Sequence, residues 1–177
     1  MRFAAFAALV LSCGTAAAQQ PYAGLETRAI KSLSEQQIAD LNAGRGMGLA
    51  LAAELNGYPG PSHALELADQ IGLSPEQTIK LKELFVAMKA ETIPIGVELI
   101  SQERGLNDDF ARRTVTLESL EASSRKIGNT QASLRSAHLR YHLSTLAVLT
   151  PAQVKRYGEL RGYAADAASP HQHRMHP

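Results

Sequence analysis

Tryptophan is absent, aromatic residues make up 5% of the chain, and β-branched residues are sparse beside alanine and leucine. Sheets draw on the side chains that are scarce here, so the composition favours helices. An excess of one charge is also missing: 18 Lys and Arg stand against 17 Asp and Glu, for a formal net charge of +1. A nucleic-acid binder normally carries a basic excess, which argues against that class. Cysteine occurs once, as Cys13. It lies in a segment patterned like an export signal: basic Met1-Arg2, an apolar run from Phe3 to Leu11, and small residues Ala16-Ala17-Ala18 before Gln19. Cleavage after Ala18 would leave no thiol, hence no disulfide and no thiol chemistry. The competing reading makes Cys13 the acylated first residue of a lipoprotein, but Val10-Leu11-Ser12 before it fits that pattern poorly. No later run is long enough to span a bilayer, so the expectation is an exported, soluble protein.

What is present is a repeated helix start. Leu33-Ser34-Glu35-Gln36-Gln37, Leu73-Ser74-Pro75-Glu76-Gln77 and Leu149-Thr150-Pro151-Ala152-Gln153 share one pattern: Leu, then Ser or Thr, two variable residues, then Gln. The hydroxyl accepts from an orphan N–H of the first turn, and the Gln reaches back to the N–H of the capping residue. The Leu before the cap is placed to staple onto Ile38, Thr78 or Val154. Pro75 and Pro151 fall at the first helical position, where a missing N–H costs nothing.

From these starts the chain reads as a series of helices after an irregular lead-in over 19–32. A first helix from Ser34 toward Leu55 meets Gly44-Arg45-Gly46-Met47-Gly48, which is either a break or a close helix crossing. That glycine spacing is not a phosphate loop, since no strand precedes it and no Lys-Ser/Thr follows. Asn56 to Pro61 is a breaker cluster. A short helix follows from Pro61 or Ser62 to Ile71, capped by Gly72. A third helix opens at Ser74 with apolar residues at Leu81, Phe85, Met88, Ile95 and Leu99, Thr92 filling the gap, and Pro94 kinking it without ending it. Gly105 to Arg113 reads as a turn, with Asp108-Asp109 there for backbone reasons. A fourth helix begins near Thr114 or Thr116 and repeats Leu120, Ile127, Leu134, Tyr141 and Val148 every seven residues. Thr150 caps a last short helix that ends near Gly162. The expected fold is all-α: a long antiparallel helical hairpin with shorter flanking helices. Its apolar stripes need cover from the short helices, from a second copy, or from both. The segments expected are an export signal over 1–18, a lead-in and first helix over 19–58, the hairpin domain over 59–163, and an irregular tail over 164–177.

A chain of this length with an export signal, all helices, and boxes at Leu73–Gln77 and Leu149–Gln153 resembles the periplasmic Spy/CpxP family, which includes zinc-resistance-associated and metal-sensing relatives. The likeness covers roughly residues 60 to 162. It implies an intertwined, cradle-like homodimer in the periplasm. It also implies ATP-independent chaperone-like or stress-sensing work without catalysis, no required cofactor, unfolded proteins as partners, and in some relatives an inner-membrane stress sensor. In this reading Leu73, Ser74, Gln77, Leu149, Thr150 and Gln153 are helix-cap residues, and Phe85, Met88 and Ile95 are candidate client contacts or dimer core. Basic residues along the two long helices, among them Lys80, Lys82, Lys89, Arg112, Arg113, Arg125, Lys126, Arg135 and Arg140, would attract acidic clients or form an ordinary solvated face.

Metal binding is the alternative. His138 and His142 are four apart on one helix and can face one ligand. Imidazole suits zinc, copper and nickel. His63 and Glu66 on the short second helix would complete a set, and family relatives that sense metals use His, Glu and Met from facing helices. His171, His173 and His176 in the tail, beside Met175, are a second candidate group. Against this, His138 and His142 also fit as hydrogen-bonded helix-packing residues, and the tail as solvated chain. A zinc-protease pair would need Glu where Leu139 stands. No Gly-x-Ser-x-Gly elbow occurs, so nothing speaks for an enzyme.

Overall fold

The computed structural model describes residues 22–163. The expected export signal, Cys13, and the tail with His171, His173 and His176 lie outside them.

Among the described residues the chain is all helix. After a short 3-10 turn at Leu25–Thr27 come α1 (Glu35–Asn42), α2 (Leu51–Glu54), α3 (Pro61–Glu66), α4 (Ala68–Ile71), α5 (Pro75–Ala111), α6 (Leu117–Val148) and α7 (Pro151–Leu160). The 37 residues of α5 make a rod of about 55 Å. Helix α6 runs back along it, and α1 and α3 lie across it. No helix here is long and apolar enough to cross a membrane.

All three boxes start helices. Ser34, Ser74 and Thr150 each accept from the N–H of the Gln three residues on, and that Gln accepts from the capping N–H. The second and third boxes also grip each other. Gln77 Nε2 donates to Gln153 Oε1 at 2.9 Å and to the Val148 carbonyl at 2.9 Å. Gln153 Nε2 donates to Gln77 Oε1 at 2.8 Å and to the Gly72 carbonyl at 2.9 Å. Each amide thus spends both of its donors across the junction and one acceptor on its own cap. Glutamate would cap equally well but has no donor, so the cross-link explains why Gln stands at both positions. Gln37 caps α1 alone.

The glycine stretch, expected as a break or a close crossing, is a break, and two other expected boundaries are corrected. The run from Ser34 to Leu55 is two helices, because Gly44, Met47 and Gly48 have φ of 63°, 44° and 82°. Gly44 also has no room for a side chain: a Cβ there would lie 2.7 Å from Thr92 Oγ1. The helix expected from Pro61 to Ile71 is broken at Leu67 into α3 and α4. The turn expected over Gly105–Arg113 is helical as far as Ala111, and the reversal uses Arg113 at φ 57° before the Thr116 cap. Asn107, read as a turn residue, instead accepts from the Lys31 N–H at 3.2 Å and donates to the Ala29 carbonyl, holding the lead-in against α5.

The hairpin carries two apolar cores. One, toward the turn, gathers Ile30, Leu41, Leu99, Ile100, Ile127 and Leu134. The other, at the open end, gathers Ala64, Ile71, Leu81, Leu149 and Tyr157. Helix α1 reaches the first core by crossing α5 at Gly96, where a Cβ would lie 2.6 Å from the Leu41 carbonyl oxygen. Along α5 and α6 the stretch between the cores is more polar: Thr92, His138, His142 and Thr145 are all buried there. Thr92 Oγ1 donates to the Met88 carbonyl, which satisfies it within its own helix.

Candidate functional site

Beside that polar stretch is a cleft of about 570 Å³. The Gly44–Gly48 loop, the end of α2, the start of α3, and the middles of α5 and α6 line it. His138 and His142 reach it from successive turns of α6, and Phe85, Met88 and Lys89 from α5. His63 and Glu66 come from α3, whose start is set by Pro61 at its first position.

Glu54, at the last position of α2, is the hub. It is 5% exposed. Its Oε1 accepts from His63 Nδ1 at 3.3 Å, from Tyr163 OH at 3.2 Å, and from Tyr157 OH. Its Oε2 accepts from the Gly60 N–H at 3.3 Å and lies 3.6 Å from His142 Nδ1. Arg161 Nε is 3.8 Å away. Burial alone would raise the carboxyl pKa, but the hydrogen bonds from His63 and Tyr157 and the nearby imidazole charges outweigh it and bring the value to about 2. The hydrogen bond to Glu54 raises the His63 pKa against the opposing pull of burial. Burial, and then the bond to Glu54, raise that of Tyr157.

The imidazoles differ in their bonding. His142 Nδ1 lies 2.6 Å from the Tyr58 carbonyl, which only accepts, so that nitrogen carries a proton. The other edge of the ring lies against Gly60, where a Cβ would be 2.9 Å from Nε2. His138 is 3% exposed, and its Nε2 has no partner. Burial, followed by the neighbouring His142, lowers the His138 pKa and favours the neutral ring.

The four helix-borne residues singled out for metal, His63, Glu66, His138 and His142, therefore share one cleft. They are not drawn to one point: no group of three or more His, Cys, Asp or Glu among the described residues is placed to hold a metal ion. Glu54 was missed by sequence reasoning. Its only local signal is a lone acid in the apolar run Met47–Leu55.

Of the candidate client contacts, Met88 is buried, Ile95 packs against the first core, and Phe85 is half-buried in the cleft lining. The apolar side chains that α5 exposes are instead Ile79, Val86, Val97 and Phe110. The basic face is partly neutralised across the hairpin, with Arg140 on Glu91 at 2.8 Å and Lys126 on Glu98 at 3.3 Å.

Compared with models of known protein families, with curated protein sequences and with solved structures, the chain matches none.

Proposed function

We propose that this chain is an exported, ATP-independent chaperone-like protein that holds unfolded polypeptides, as its resemblance to the Spy/CpxP family implies. The observation that carries the reading is a row of uncovered apolar residues on α5. Ile79, Val86 and Val97 are 59%, 66% and 50% exposed. Ile79, Val86 and half-buried Ile93 recur every seven residues, two helical turns, so they share a face, and Val97 extends it. Exposed apolar residues gathered on one face mark a place of interaction, although exposed Glu83 interrupts this row between Ile79 and Val86. Lys80 and Lys82 flank it and Glu83 sits within it, so the row has mixed charge at its edges.

The test is suppression of aggregation of several unrelated unfolded proteins without nucleotide, comparing the wild type with a variant carrying Ile79→Ser, Val86→Ser and Val97→Ser. Protection by the wild type that the variant loses, at unchanged helicity and sedimentation, supports the reading. No protection at a few-fold molar excess defeats it. Dissociation of a wild-type dimer by the same substitutions would give the row to a second copy of the chain.

Metal binding is the second reading, and the presence of His63, Glu66, His138 and His142 in the lining of one cleft favours it. Calorimetric titration with zinc, copper and nickel tests it on full-length protein, on tail-deleted protein, and on the His138→Ala and His142→Ala variants. A stoichiometric site that survives tail deletion and is lost in the helix variants supports it. Wild-type and helix variants that titrate alike dismiss it.

A further inference from the structure

The Gly44–Gly48 loop brings backbone to the cleft. Met47 takes φ 44°, a left-handed conformation that is costly for a residue with a Cβ and that clusters at functional sites. The loop closes through Leu49 N–H to the Gly46 carbonyl at 2.7 Å and Leu51 N–H to the Gly48 carbonyl at 3.1 Å. That leaves the N–H groups of Gly46, Met47 and Gly48 bonded to no backbone carbonyl of the described residues. Successive free amides around a left-handed turn form a concavity suited to an anion.

The side chains add charge and an apolar wall. Lys89 lines the cleft, lies 5.4 Å from the Phe85 ring centroid, and forms no ion pair among the described residues. Arg45 lines it too, with its Nε on Asp40 and the rest of its guanidinium unspent on that bond. Of the two carboxylates in the lining, Glu54 is already surrounded by donors. Glu66, exposed and accepting from Ser62 Oγ at 3.3 Å, is the one that opposes an anion. His138, more than nine-tenths buried, lines the cleft with its Nδ1 edge toward Gly46, its Nε2 being closed to solvent and without a partner. Leu51, Phe85 and Met88 are apolar, and the volume falls in the range of small-molecule sites.

We propose that the cleft binds a small organic monocarboxylate, its anionic end on the Gly46–Gly48 amides and Lys89, its aliphatic or aromatic body against Phe85 and Met88. This site goes beyond the client-holding reading and does not rest on it. The carboxylate end answers the free amides and the unpaired ammonium, and the apolar wall excludes a bare inorganic ion as the preferred occupant.

The experiment titrates full-length protein with octanoate, benzoate, their neutral amides and inorganic phosphate, by calorimetry and ligand-observed NMR. The expected result is saturable one-to-one binding of a carboxylate, at least about tenfold tighter than its amide. Lys89→Gln, a change on a half-exposed side chain, should weaken the carboxylate by about tenfold and leave the amide unchanged, with helicity intact. Equal affinity for carboxylate and amide overturns the proposal, as does unchanged affinity in Lys89→Gln or the absence of saturation at millimolar ligand. Phosphate binding as tightly as either carboxylate overturns the apolar half of it. Binding of zinc or copper without any carboxylate binding gives the cleft to a metal instead.

Discussion

Substitution of Glu54 by glutamine probes the hub of the molecule. The wild-type carboxylate accepts from α3, from the segment before α3, from α7 and from Tyr163 beyond it, so one side chain ties the open end of the hairpin together. The donors around it hold its carboxyl at about 2 in the fold, well below the ordinary 4.5. A depressed folded pKa contributes stability that is present above the unfolded value and lost as pH falls through the folded one. Here that window runs from about pH 4.5 down to about pH 2, and the difference corresponds to about 3 kcal/mol. His63 supplies the opposite edge. Its pKa is raised from 6.5, so its share is full below about pH 6.5 and fades as pH rises through the higher folded value. The two shifts describe largely one interaction and are not added. The share of stability owed to Glu54 and His63 should therefore peak between about pH 4.5 and about pH 6.5, while buried His138, whose pKa is lowered from 6.5, works against it by losing stability as pH falls below that value. Glutamine keeps the shape but turns an amide donor toward groups that are themselves donors, and breaking a buried pair in this way costs about 3–5 kcal/mol. Urea unfolding followed by circular dichroism, repeated across this pH range on both proteins, measures it. Asp40, Glu76 and Glu98 also have lowered pKa values, so the acid limb is read as the difference between wild type and variant. A Glu54→Gln protein within about 0.5 kcal/mol of wild type at pH ~6, with an unchanged acid limb, would refute the hub.

The junction of boxes gives a second expectation. Gln77→Glu keeps the cap but loses two donors to Gln153 and Val148, and should lower stability by about 2–4 kcal/mol, more than the loss of a cap hydroxyl. Ser74→Ala and Thr150→Ala should each cost about 0.5–2 kcal/mol in urea melts. They should leave client protection per folded molecule unchanged, and a fully stable variant that has lost protection would make the boxes contact sites. Glycines separate by environment. Gly96→Ala drives a Cβ to 2.6 Å from the Leu41 backbone and should lower the thermal midpoint by an amount equivalent to about 2 kcal/mol or more. Gly105→Ala and Gly128→Ala, in helix interiors with nothing within 4 Å, should each raise stability by about 0.5–1 kcal/mol.

What the sequence disclosed and what it hid divide by the range of the forces involved. The helix starts were legible because a cap is closed within four residues: Ser34, Ser74 and Thr150 each bond the Gln three places on. The long period of α5 was legible through Pro94 because Leu81, Met88, Thr92 and Leu99 kept their face, and all four are buried. The turn over Gly105–Arg113 was misread because local chemistry there favours a turn, while the deciding contacts of Asn107 lie 76 and 78 residues away at Lys31 and Ala29. Glu54 was invisible for the same reason. Its hydroxyl partners, Tyr157 and Tyr163, lie 103 and 109 residues on, and nothing in the local sequence around them marks them as partners of a buried acid. The histidines were found by spacing, yet spacing could not tell which nitrogen each ring would have free. That depends on the Tyr58 carbonyl for His142 and on burial for His138. The cleft is therefore a tertiary property. It exists because Gly44 lets the loop meet Thr92 and Gly60 lets the chain meet His142. Where two glycines, not a motif, admit the backbone to the middle of the hairpin, the chemistry of the site belongs to the elements they bring together.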